Sequence, residues 1–104
     1  MDLLAMMQKE ITELQLTDKV AIKDHIYHRT GEIFKYDPLW TFASDEREKL
    51  RQKRINIRDV TDFYLTCYSW AHAFKDLLLA FLIPARVEVK DDHAYVESFI
   101  NGET

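Results

Sequence analysis

The sequence predicts an α+β fold in which helices come first and a small antiparallel sheet follows. Three observations lead there. Apolar residues recur at helical spacing near the N-terminus and again over residues 67–82. Beyond that, two short runs alternate apolar with polar residues. A polar turn separates those two runs. The chain has 104 residues, of which 47% are hydrophobic and 31% charged, which suffices for a modest core, so residues 1–104 are read as a single domain.

The first helix follows from Leu3, Leu4, Met7, Ile11 and Leu14, whose spacings of three and four put them on one face, opposite Gln8, Lys9 and Glu13. Thr17 and Asp18 supply capping chemistry for a second helix carrying Val20, Ile22, Ile26 and Tyr27, with Gly31 as its expected stop. Tyr36, Asp37 and Pro38 then form a turn or extended piece, because a residue before proline is held out of the helical region.

Residues 44–58 place Asp45, Glu46 and Glu48 ahead of Lys49, Arg51, Lys53 and Arg54. That order suits a helix dipole and i,i+4 pairing, and reads as a solvated helix or charged surface loop. Cys67, Ala71, Phe74, Leu78 and Phe81 describe the buried stripe of a third helix, closed at Pro84. Arg86 to Val89 and His93 to Ile100 alternate as strands around the turn of Lys90, Asp91 and Asp92, giving a hairpin beside that helix.

A formal charge of -4 argues against nucleic acid, whose binders need a basic face to displace phosphate counterions. No run approaches the ~20 apolar residues of a membrane span, and the N-terminus lacks a basic segment before an apolar one, so no membrane association is expected. The single cysteine cannot form an internal disulfide, and a cytoplasmic setting is the default.

That cysteine is the residue with chemical promise. Cys67 falls at the start of the third helix, where backbone N–H groups and the positive end of the dipole favour a thiolate and can also hold an oxyanion. A nucleophilic thiol needs a base. His72, five residues on, lies about 140 degrees around the helix and points away, whereas His93 opens a strand able to pack beside the helix start.

His25 and His28 read as a solvated helix face with Arg29. No clustered Cys/His spacing suggests a metal site. Trp40 and Trp70 read as core aromatics, Arg86 as a structural ion-pair partner, and Met6 and Met7 as core.

Three strings extend this reading. Cys67-Tyr68-Ser69-Trp70-Ala71, Leu82-Ile83-Pro84-Ala85-Arg86 and His93-Ala94-Tyr95-Val96-Glu97 resemble the core of the transglutaminase-like superfamily of cysteine enzymes, most strongly over residues 67–100. The helix around Val20 to Tyr27 leading to Phe34-Lys35-Tyr36-Asp37 resembles the family's approach to that core.

The resemblance implies a papain-like α+β domain with Cys67 as nucleophile and His93 as base. It implies acyl transfer on a protein or peptide carboxamide through a thioester, which passes to an amine or to water, without a cofactor or metal. Leu65 and Leu82 stand where the family commonly has glycine. The family's orienting aspartate belongs on the next strand, beyond Thr104, so the chain is read either as C-terminally truncated or as a short form that completes the site with another group. Asn101 and Glu103 are substitutes only if the tail folds back, and Asp91 and Asp92 read as turn residues. The alternative is a catalytically degenerate domain of the same fold that binds a protein partner or serves a structural role.

Overall fold

Asp2 opens the chain's first helix by accepting a hydrogen bond from the Ala5 N–H at 2.9 Å, and Asp18 opens the second by accepting from Val20 at 3.2 Å. The computed structural model describes residues 1–36, 53–91 and 93–100. Their elements are α1 (Leu3–Glu13), α2 (Lys19–Ile33), β1 (Lys35–Tyr36), β2 (Tyr64–Leu65), α3 (Cys67–Ala80), β3 (Ala85–Lys90) and β4 (His93–Ser98). This is an α+β arrangement: β1 and β2 pair in parallel, while β3 and β4 form an antiparallel hairpin.

The periodicities become packing faces. Leu3, Leu4, Met7 and Ile11 of α1 are buried, as are Ile22 and Ile26 of α2, and they join Phe74, Leu77, Leu78 and Ile83 in the main core. Each fully buried leucine or isoleucine contributes about 1.5–3 kcal/mol relative to exposure. Gln8, Lys9 and Glu13 face solvent as expected. The first residues of α1 are also tied by backbone: Met1 donates to the Val60 carbonyl, Val60 to that of Met1, and Leu4 to that of Ile57.

Leu14, Val20 and Tyr27 depart from the expected faces, being 57%, 43% and 53% exposed. Leu14 caps the C-terminus of α1 instead of extending its stripe, because the chain turns there through Gln15 at φ 56. The expected stop at Gly31 is corrected as well. α2 runs on to Ile33 and ends at Phe34, whose backbone turns extended (φ -97, ψ 150) so that Lys35 can pair with Tyr64. A glycine alone does not end a helix; the start of strand pairing does.

The two turns that would most welcome glycine carry other residues. At the end of α3 the Ile83 N–H reaches the Leu78 carbonyl at 2.9 Å and the Leu82 N–H that of Leu79 at 3.0 Å, the double bond of a Schellman motif. Leu82 occupies its left-handed position at φ 61 and is 79% exposed, while Ile83 is fully buried against the core. The helix therefore closes at Ala80, ahead of Pro84. The end of α1 repeats the motif, with Leu16 donating to Ile11 and Gln15 to Thr12.

The hairpin expected from the sequence is present, with β3 at Ala85–Lys90 and β4 at His93–Ser98. Lys90 pairs with His93 around the polar turn, Asp91 adopts φ 53, and Arg86 bonds Glu97 at 3.0 Å and Glu88 at 2.6 Å while lying over the Phe99 ring. Arg86 is thus the structural ion-pair partner expected of it. The expectations for Asp37, Pro38, Trp40, residues 44–52, Asp92, Asn101 and Glu103 lie outside the described residues; residues 53–58 of the charged stretch form a loop with a short turn.

One polar clamp joins α1 to α2. Glu10 accepts from Arg29 Nε at 2.9 Å and Nη2 at 3.1 Å, and from His25 Nε2 at 2.8 Å, so His25 is not on a solvated face. The Arg29 guanidinium beside Glu10 holds its carboxyl below the usual glutamate range, with His25 adding to the effect and partial burial opposing it.

Two outcomes follow. Leu82→Gly relieves a left-handed side-chain penalty of about 1–2 kcal/mol against a glycine entropy cost of about 0.5–1 kcal/mol, so urea unfolding should show a gain of up to ~1 kcal/mol. Because the Glu10 pKa is depressed on folding, its contribution is present above the ordinary value of 4.5 and fades as pH falls through the lower folded value. Glu10→Gln should therefore lower stability by roughly 1 kcal/mol at neutral pH, with the difference from the parent shrinking below pH 4.5.

Candidate functional site

Thr66 sets the frame of the site. It is fully buried at the N-cap of α3, accepts from the Ser69 N–H at 3.2 Å, and its hydroxyl meets that of Ser69 at 3.2 Å. Ser69 Oγ in turn donates to the Lys53 carbonyl at 3.0 Å, anchoring a distant loop to the first turn. Lys53 itself reaches Asp62 and the Tyr64 carbonyl, and its ammonium holds the Asp62 carboxyl below its usual range, with the Tyr64 N–H assisting. The N-terminus of α3 is thereby held from three sides.

Cys67 is the first residue of α3, free and buried at 5% exposure, in a small cluster with Tyr68, Ala71 and Ala94. His93 is the first residue of β4 and exposed. Along β4 the buried Ala94 and the half-buried Val96 pack toward the Cys67 cluster, and His93 stands at the strand's start, beside the hairpin turn. Both residues nevertheless line one open cavity of about 930 Å³ bounded by α2, α3 and β4. The structure brings the pair to one cleft, with the thiol in its floor and the imidazole at its rim; no hydrogen bond joins them among the described residues.

His72 is absent from the lining and half-buried elsewhere on α3, as the helical angle required. Burial pushes its pKa down, and the Arg54 and Lys75 charges add to that. His28, exposed on α2, does line the cleft.

Aromatic packing fixes the spacing of the walls. Tyr27 meets Trp70 edge-on at 5.7 Å and Phe74 at 5.8 Å, and Trp70 meets Phe74 at 5.2 Å. Trp70 Nε1 donates to Thr30 Oγ1 at 3.2 Å, and the hydroxyl of Thr30, fully buried, donates in turn to the Tyr27 carbonyl at 3.0 Å. Trp70 is thus a half-buried brace between α2 and α3.

Sequence reasoning missed the contribution of α2, whose Lys23, Tyr27 and Gly31 line the cleft, with Lys35 of β1 just beyond the helix end. Their regular i,i+4 spacing was the available signal, since it marks one row along a helix. Of the candidates for a third polar group, Asp91 is an exposed turn residue. Among the described residues no helix is long and apolar enough to cross a membrane, and no group of three or more His, Cys, Asp or Glu is placed to hold a metal.

Comparison of the chain with protein-family models, with curated proteins and with solved structures finds no match. The residues of the cleft therefore carry any functional reading by themselves.

Because Thr66 caps the helix that carries the thiol, Thr66→Ala should lower stability by about 1 kcal/mol in chemical denaturation, and Thr66→Ser should retain most of it.

Proposed function

We propose that this chain is a cysteine-dependent acyl-transfer domain with a papain- or transglutaminase-like core, acting on a protein or peptide carboxamide. The observation that carries the reading is the convergence of Cys67 and His93, far apart in sequence, on one open cleft. The three strings around Cys67, Pro84 and His93 support it, as does the N1 position of the cysteine behind a satisfied Thr66 cap.

In this reading Cys67 Sγ attacks the carboxamide carbon and its proton passes to His93. Collapse of the tetrahedral adduct breaks the C–N bond as that proton is delivered to the leaving nitrogen, releasing ammonia or an amine. The resulting thioester is attacked by an amine or by water, and the thiol regains its proton. Transamidation, deamidation and amide hydrolysis differ only in that acceptor. His93 has to turn inward to serve, and a position at the end of a strand, next to a tight turn, permits that motion.

A second reading has its own observation. Cys67 is packed as a core residue against Tyr68, Ala71 and Ala94, which suits a non-catalytic module of the same fold that binds a protein partner.

Alkylation separates the two. The first reading expects Cys67 in the folded chain to react with iodoacetamide at neutral pH faster than a small free thiol. It also expects His93→Ala to slow ammonia release from a glutamine peptide by roughly 100-fold or more. A thiol that reacts only after unfolding in urea would remove the enzymatic reading and leave the module.

A further inference from the structure

The charge layout of the cleft is at odds with that of the chain. The whole chain carries a formal charge of -4, yet the charged side chains lining the cavity among the described residues are Lys23, Lys35 and Asp24, accompanied by His28 and His93. Neither lysine forms an ion pair among the described residues. Two ammonium groups are thus available along one wall.

Their positions follow from the packing. Thr30 meets Trp70 while Tyr27 reaches on to Phe74, so α2 and α3 run in opposite directions along the cleft. Lys35, paired with Tyr64 just ahead of Thr66, stands at the Cys67 end, and Lys23 stands toward the Leu78 end. Twelve residues of largely helical rise separate the two by roughly 18 Å, the span of about six extended residues. Between them lie the exposed Tyr27 and the half-buried Trp70. Asp24 adjoins Lys23 and weakens that end, which leaves Lys35 the stronger cation.

We infer that the cleft binds an extended acidic segment of a protein, with Lys35 holding a carboxylate beside the Cys67 end and Lys23 a second one near the far end. The general acidity of the chain assists by repelling such a segment elsewhere. Placing the reacting carboxamide next to the Lys35-bound acid rests on the acyl-transfer reading; the binding preference itself does not.

The test uses the full chain carrying Cys67→Ser, so that binding is read without turnover. Dye-labelled peptides of about eight residues, long enough to span the cleft, carry a central glutamine flanked by glutamates, by lysines or by serines. Fluorescence anisotropy should rank the glutamate peptide tightest, by roughly threefold to tenfold over the serine one, with the advantage shrinking in about 0.5 M salt. The double variant Lys23→Glu with Lys35→Glu should invert the ranking in favour of the lysine peptide. Lys35→Ala alone should remove more of the preference than Lys23→Ala, and both are mild enough to fold. Equal affinity for the three peptides, no measurable binding of the acidic one, or a preference that the lysine substitutions leave intact would overturn the inference. A Cys67 inert to alkylation alongside retained acidic preference would remove only the enzymatic reading. A reactive Cys67 without charge preference would remove only this one.

Discussion

Everything in this molecule depends on burying α3 on two sides at once. Its later turns give Phe74, Leu77 and Leu78 to the core shared with α1 and α2, and its first turns give Cys67 and Ala71 to the hairpin through Ala94. A helix so enclosed cannot leave its terminal N–H and C=O groups to water, because an unmet buried polar group costs about 1–3 kcal/mol. Its ends are accordingly the most tightly specified parts of the fold. Thr66 and Ser69 bind each other and a distant carbonyl at one end, and the paired bonds of Leu82 and Ile83 close the other.

The enclosure also explains why the cleft has firm walls. Trp70 lies on α3 against α2, half-buried, and its indole N–H has to find an acceptor. Thr30 supplies one from α2 and satisfies its own hydroxyl on the Tyr27 carbonyl, so no buried polar atom of this bridge is stranded. With α2 fixed against α3 on one side and β4 on the other, the space between them is defined by backbone elements more than by loops. A site on such elements holds its side chains more precisely than one carried on mobile segments.

The apolar stripes of α1 and α3, the cap at Asp18 and the hairpin with its turn were legible in the sequence because each is a local pattern with one geometric meaning. The helix ends were not. The chain has two glycines, and the one within the described residues, Gly31, sits inside α2, whereas the left-handed positions fall to Gln15, Leu82 and Asp91. Side-chain identity gave no cue there because buried neighbours, Ile11 with Leu16 and Leu78 with Ile83, impose the turn from outside. Within the site, His72 lies off the cleft lining, and His93 lines the same cavity as Cys67. What spacing could not reveal is depth, since Cys67 in the floor and His93 at the rim depend on how closely β4 approaches α3.

That approach is set by two small residues. Ala71 and Ala94 let the strand lie close against the helix, and this closeness both carries His93 to the end of α3 that holds the thiol and covers the thiol itself. The hairpin side of Cys67 is therefore sealed, and the open side faces the cavity shared with Trp70 and Lys35. On the proposed acyl-transfer reading, recognition and reactivity share that cavity, so a side chain on α2 can alter access to Cys67 without touching it.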